Sequence, residues 1–340
     1  MGKAVHTLAY STNHSKIDQI LQGVIGIYQK VFPERIRGYY LQGSYGSNSS
    51  IPNSDLDLYV IFKENFHNLE EVINAASLGQ SCAQISSVLL EIKPGSEAAL
   101  SRSEQAGIAL NFKHSTQFLY GKDIRNQVPT PSSEDWVRWA MYAPQTSLLV
   151  TRAAECLTFP LDYPDPQAEF YGYEHQTIPG ADGIDRPSTK WLISTVSWIA
   201  TALVALKTAQ YVGSKREAVE LYKTYINDEW TNLIEQVYEL CRNRWHYMIP
   251  AQEAERQTLR SMCQDALRLS NSFLGRYRRF ILRELDEKQP KHQMLALKML
   301  ARIIYPEDQE IVNVLKRLQQ SDHALLKQTA HAIEKKVTHG

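Results

Sequence analysis

YYLQGSYGSNSSIPNSDLDLYVIF, running from Tyr39 to Phe62, decides how this chain is read. One apolar run ends at Gly43-Ser44, a loop rich in Gly, Ser and Asn follows, and a second apolar run carries Asp55-Leu56-Asp57. Tyr39 to Leu41 and Leu56 to Phe62 are short, apolar and bordered by turn residues, as strands are. Side chains on a strand alternate, so Asp55 and Asp57 point one way and Leu56 and Leu58 the other. Asp has poor strand propensity, and two of them on one face repel. A hard divalent cation resolves the repulsion, and Mg2+ prefers a few carboxylates supplemented by phosphate oxygens. Gly43-Ser44 suits the phosphate: glycine lets the backbone approach, successive N–H groups favour an anion, and the Ser44 hydroxyl adds a donor.

Working outward, residues 14 to 32 repeat apolar side chains at helical spacing, and Pro33 ends the pattern. Val88 to Ile92 and Ile108 to Phe112 read as two further strands, and residues 66 to 80 as a helix between the second and third strands. In VLLEIKP, Glu91 lies between Leu90 and Ile92 and faces opposite to both. If its strand lies beside the Asp strand, three carboxylates converge and Glu91 can take a proton from a nucleophile. The first 128 residues therefore form a mixed α/β unit with a small sheet. After Asn126 comes a Pro- and Ser-rich joint, with Ser132 or Ser133 as N-cap of the next helix. Residues 132–288 are almost all helical in pattern, apart from a Pro-, Gly- and Tyr-rich stretch from Pro160 to Pro187 that is long for a structureless loop. Residues 289–340 carry further helical patterns resembling one HEAT-type unit, which a single copy cannot bury by itself. The expected class is α+β: a sheet-bearing domain, an all-helical domain, and a helical tail.

Composition bounds the rest. The 340 residues are 43% hydrophobic and 22% charged, with 37 Lys plus Arg against 37 Asp plus Glu. This is a globular composition, and zero net charge removes the global electrostatic case for nucleic acid. Cys82, Cys156, Cys241 and Cys263 show neither CxxC nor zinc spacing and read as reduced thiols, which points to a cytoplasmic protein. The first residues lack the apolar core of a signal peptide. Trp191 to Leu206 is apolar but short for a span and contains Ser and Thr, so a helix buried in a bundle is expected rather than a membrane segment.

The stretch around Gly43-Ser44 and Asp55-x-Asp57, with ten residues between Ser44 and Asp55, resembles the signature of the DNA polymerase β-like nucleotidyltransferase superfamily. The run GIALNFKHSTQFLYGKDI, Gly107 to Ile124, resembles the end of that domain in bacterial members. Within the superfamily the arrangement is most similar to bacterial aminoglycoside adenylyltransferases of the streptomycin and spectinomycin type, which carry an acid in a context like Leu90-Glu91-Ile92. The segment from Lys190 to Arg242, with Gly213 before a Lys/Arg-rich helix start, is loosely similar to their helical bundle. The resemblance covers about residues 38 to 125. It implies that ATP lies with its phosphates over Gly43 and Ser44, that Asp55 and Asp57 hold one or two Mg2+ ions, and that Glu91 deprotonates an acceptor hydroxyl. AMP would move and pyrophosphate would leave.

The helical domain should face the sheet across a cleft. Residues 242 to 283 hold nine arginines against three acids; Arg276, Arg278 and Arg279 are the expected contacts to the phosphates, Arg276 and Arg279 above all. Trp136, Trp139, Tyr142, Tyr171 and Tyr173 are candidates for stacking on a base or sugar, although helical spacing also suits core packing. His114, His175 and His246 sit in no ligand spacing. For a cationic acceptor, Asp162, Asp165, Glu169, Glu174, Asp182 and Asp185 in the insertion would supply an acidic wall. A macromolecular acceptor, protein or RNA end, is the competing reading; it draws on the arginine-rich region and on a protein partner docking through the C-terminal helices. A degenerate domain that only binds nucleotide is the third, and the intact Gly43, Ser44, Asp55 and Asp57 speak against it.

Overall fold

The structure, a computed structural model, describes residues 6–179 and 184–339, the last four by backbone alone. The chain opens with α1 (Ser15–Val31), whose Ile17, Leu21, Val24, Ile25 and Tyr28 make its buried face. Next come β1 (Ile36–Gln42), the single helical turn α2 (Gly43–Gly46), β2 (Leu56–Phe62), α3 (Leu69–Ile85) and β3 (Leu90–Ser96). Two short 3-10 turns lead into α4 (Ala106–His114) and β4 (Gln117–Gly121). The four strands form one sheet in the order β3-β2-β1-β4. β1 runs antiparallel to β2 and to β4, and β2 runs parallel to β3 with α3 as the crossover.

Alternation along β2 sorts its two faces. Leu56, Leu58, Val60 and Phe62 pack with β1 residues against α1 and α3. Tyr59 and Ile61 pack with Tyr40 and with Phe112 of α4 on the other face. Asp57 shares that second face. β3 is an edge strand and so tolerates Pro94 within it.

Ile108 to Phe112, expected as a strand, is the middle of α4. A five-residue run with four apolar side chains, broken only by Asn111, cannot be assigned by periodicity. Here Ala106, Ala109, Leu110 and Phe112 are buried, and Gly107 lies so close to Trp139 that a Cβ would enter the indole. The fourth strand is the next apolar segment, Gln117–Gly121.

Ser132 caps α5 (Ser133–Thr151), its hydroxyl accepting from the Asp135 amide. The short strand β5 (Leu157–Thr158) precedes the Pro160–Pro187 region, which itself carries β6 (Thr177–Pro179) and β7 (Asp185–Pro187). That region is tied down by buried Phe170, Tyr173 and Ile178 and by Glu169, which pairs with both Arg256 and Arg260. The bundle continues with α6 (Lys190–Thr208), α7 (Lys215–Tyr225) and α8 (Thr231–Gln236), which runs on as a π-helical stretch over Val237–Arg244. The 34-residue α9 (Glu253–Asp286) follows. α6 is long and apolar enough to cross a membrane, but most of it is buried inside the bundle. After α9 come α10 (Pro290–Leu300), β8 (Ile303–Ile304), α11 (Gln309–Leu318) and α12 (Ala324–His339). β8 pairs in parallel with β5. Leu297, Leu315 and Ile333 of these last helices belong to the same hydrophobic cluster as α5, α6 and α9. Their apolar faces are thus covered by the bundle.

Candidate active site

The end of β1 meets the start of β2 where Gln42 is registered against Asp57. The chain must turn at once into α2, and Gly43 does so with φ +72, a left-handed conformation that glycine adopts without strain. A Cβ at Gly43 would run into Asp57 Oδ2, so the backbone of this turn lies against the carboxylate itself. The Ser44 hydroxyl next to it is buried and has no hydrogen-bond partner. An unsatisfied buried donor is costly unless something fills it on binding.

Parallel pairing sets Asp57 directly beside Glu91. Lys93, two residues further along β3, falls on the same face by strand alternation. Its ammonium donates to Asp57 Oδ1 at 2.9 Å and lies 3.1 Å from Glu91 Oε2. Asp55, just before β2, is approached from the bundle by Lys190 of α6, with Nζ 3.6 Å from Oδ2. Lys190 is held over the Tyr247 ring at 5.1 Å. Tyr247 and His246 both have positive φ, and the Tyr247 carbonyl accepts from the Thr189 amide at 2.7 Å, which fixes this strained turn to the start of α6.

These charges divide the two aspartates. Burial pushes the Asp57 carboxyl up to about 6; Lys93 pulls against it, while the negative charge of Asp55 and a hydrogen bond with Glu91 add to it. For Asp55 burial also acts upward, but the charges of Lys190 and Lys215 outweigh it and hold the carboxyl below its ordinary value. Asp55 is 47% exposed, open to solvent in the cleft, whereas Asp57 is 14% exposed. Lys93 is raised although burial opposes its charge, because two carboxylates face it; Asp57 faces one ammonium and two anions.

A cavity of about 690 Å³ opens over this face, lined by Gly43, Ser44, Asp55, Asp57, Glu91 and Lys93 on the sheet side. That volume suits a nucleotide-sized ligand. The bundle supplies the opposite wall, where Lys215, Arg216 and Arg242 add positive charge and Trp198, Tyr238 and Tyr247 add rings. Ser214 caps α7 and Glu217 reaches back to the Gly213 amide, which sets the first turn and with it Lys215 and Arg216. Arg242 is buried in the π-helical stretch and donates to the Ser49 carbonyl of the loop after α2 at 2.5 Å. Asn53 donates to the His246 carbonyl at 3.1 Å, a second tie between the loop and the bundle.

The structure thus brings Gly43, Ser44, Asp55, Asp57 and Glu91 into one cavity. Arg276 and Arg279 do not line it. Arg276 lies 3.7 Å from Asp228, Arg279 is exposed, and Arg278 between them is bound to Asp308 and Glu310. On α9, Arg256, Arg260, Arg276 and Arg278 meet acids of other elements, so a basic stretch in sequence is not a basic wall in space. Of the nine arginines in 242–283, Arg242 alone lines the cleft. The acids of the insertion are also elsewhere: Glu169 is taken by two arginines, Asp165 lies 3.5 Å from His175, and Glu174 accepts from the Phe170 amide. Asp162 and Asp185 do not line the cavity, and Asp182 is outside the described residues. Trp136, 2% exposed and bonded through Nε1 to the Gln210 carbonyl, and Trp139, stacked on it, both line the cavity, whereas Tyr142, Tyr171 and Tyr173 do not. His114 lines the cavity and lies 5.7 Å from the Tyr211 ring.

Lys93 was legible in VLLEIKP, since the alternation that exposes Glu91 to the site exposes Lys93 as well. Lys190 and Lys215 were not, because only folding brings α6 and α7 to the sheet. Among the described residues no group of three or more His, Cys, Asp or Glu is placed to hold a metal ion. Asp55 and Asp57 nonetheless make a donor set that suits Mg2+ together with substrate phosphate oxygens, which needs only one or two carboxylates from the protein.

No protein-family profile matches the chain, and no curated protein sequence matches it. Among solved structures it is similar to spectinomycin adenyltransferase AAD(9) from Enterococcus faecialis, crystallised with ATP and spectinomycin, at 14% identity and a TM-score of 0.45, over 74% of this chain and 98% of that one.

Proposed function

We propose that this protein is a nucleotidyltransferase that moves AMP from ATP to a hydroxyl of a small molecule, releasing pyrophosphate. The observation that carries the reading is the cavity itself, where a glycine turn with an unpartnered serine hydroxyl meets Asp57, and Asp57 is registered beside Glu91. A purely structural turn has no need of two aspartates on an inner face with an orphan donor beside them.

In this reading the triphosphate lies between Gly43-Ser44 and the cationic wall of Lys215, Arg216 and Arg242. The Ser44 hydroxyl gains the acceptor it lacks, and the lysine and arginines neutralise phosphate charge as it builds on the leaving pyrophosphate. Mg2+, when bound by Asp55 and Asp57, would supply Lewis-acid polarisation of the phosphate oxygens. Glu91, the more exposed of the two registered acids at 59%, accepts the proton of the attacking hydroxyl. Holding nucleotide and acceptor in one cavity supplies the remaining acceleration through positioning.

The acceptor enters from an adjoining cavity of about 590 Å³ that shares Trp139, Ser194 and Trp198 with the first. Its aromatic wall, with Tyr142 and Trp191, suits a molecule with an apolar face and a hydroxyl. The acids of the insertion lie elsewhere, so any negative charge that a polycationic acceptor such as an aminoglycoside meets here comes from Glu104 and Asp135 of this cavity, the latter paired with Arg138. The test is pyrophosphate release from ATP and Mg2+ against a panel holding aminoglycosides and neutral, ring-bearing alcohols, with Asp57→Asn as control. Release that depends on one acceptor and on Asp57 supports the reading. Nucleotide binding without release for any acceptor would move the assignment to a macromolecular acceptor.

A further inference from the structure

A site that binds two divalent ions needs carboxylates free to bridge them. Here the carboxylate pair Asp57 and Glu91 is already bridged, by Lys93 Nζ at 2.9 and 3.1 Å. Its side chain is two-thirds buried and its ammonium lies 6.0 Å from the centre of the Tyr59 ring. A metal joining the same two oxygens at the usual ~2.1 Å for Mg2+ would occupy the ammonium's own position. The two cations cannot share it, since they would occupy the same space and carry like charge. Asp55, the remaining acid, keeps Lys190 3.6 Å away, with the lysine side chain only 11% exposed. Two fixed ammonium groups carry the charge of one divalent ion, and they come from separate elements, β3 and α6.

We propose that Lys93, supported by Lys190, fills one of the two cation positions of the acid cluster, so that the nucleotide-loaded site takes up one divalent ion rather than two. The ion that remains is the one carried in with the nucleotide on Asp55 and Asp57. Lys93 also keeps Glu91 beside Asp57 whether or not metal is present, so the proton acceptor is in place before nucleotide arrives. This inference rests on the nucleotidyl-transfer reading of the same site.

The test counts Mn2+ by electron paramagnetic resonance at saturating α,β-methylene-ATP, with nucleotide binding followed separately by calorimetry. The wild-type protein should bind one Mn2+ per bound nucleotide. Lys93→Met should bind two, and Lys93→Arg, which keeps the charge, should bind one. Two ions per nucleotide in the wild type would overturn the proposal and leave nucleotidyl transfer standing. One ion in a folded, nucleotide-binding Lys93→Met would overturn it as well. If Lys93→Met does not fold, the wild-type count alone decides. A wild-type protein that binds no nucleotide would remove the functional reading and this inference together.

Discussion

Replacing Asp57 with asparagine should stabilise the folded protein while abolishing its activity. Moving a carboxyl from its ordinary 3.8 to about 6 costs the folded state about 3 kcal/mol whenever Asp57 is ionised. The figure already contains the attraction of Lys93, so asparagine, an isostere of the neutral acid, gains up to that amount. Some solvent enters from the cleft, so a gain of about 1–3 kcal/mol is expected at pH 8. The sign follows from protonation. Below 3.8 Asp57 is neutral in both folded and unfolded chains and costs nothing; as pH rises through about 6 it ionises in the folded chain too, and the full cost is present. Wild type and Asp57→Asn should therefore differ most at pH 8 and converge near pH 4. Urea unfolding of both proteins at several pH values, without divalent metal, measures this difference. A variant less stable than wild type at pH 8, or a gap that does not close in acid, would refute the reasoning. The same ionisation makes metal-supported nucleotide binding weaken below pH 6.

Other expectations follow from single contacts. Gly43→Ala should cost about 1–2 kcal/mol for its left-handed backbone, and its methyl should push Asp57 aside, lowering kcat/KM on the order of a hundredfold, read by denaturation and steady-state kinetics. Glu91→Gln should lower kcat by about 10²–10⁴ with little change in nucleotide affinity, as loss of a general base does. Arg138→Ala strips the partner from Glu284, both being buried, and should destabilise the fold by about 3–5 kcal/mol in thermal or urea unfolding. Arg276→Ala and Arg279→Ala, outside the cavity, should each leave the KM for ATP within about twofold of wild type, the range of surface substitutions.

What was legible in the sequence was what local periodicity and local chemistry encode. Alternation in Asp55-Leu56-Asp57-Leu58 put both acids on one face, and the fold keeps them there because Leu56 and Leu58 are needed in the core under α1 and α3. Glu91 followed from the same rule, and its register with Asp57 needed only the parallel crossover through α3. GIALNF failed because so short a run with four apolar side chains suits helix or strand equally, and only packing against Trp139 and the sheet selects helix. The cationic wall failed for a different reason. Arginine density along α9 says nothing of which acids fold onto it, and Asp228, Asp308 and Glu310 come from other elements. Lys190, Lys215 and Arg242, spread over fifty residues of sequence, meet only through the bundle.

The central claim is that the α-phosphoryl group of ATP is the one transferred. Incubating the protein and Mg2+ with an acceptor that supports turnover, in parallel with α-labelled and γ-labelled ATP, tests it directly. Label should pass to the acceptor from α-labelled ATP only, with γ-label released as pyrophosphate and both reactions lost in Asp57→Asn. Transfer of the γ-label to the acceptor would mean phosphoryl rather than nucleotidyl transfer, and would contradict the account.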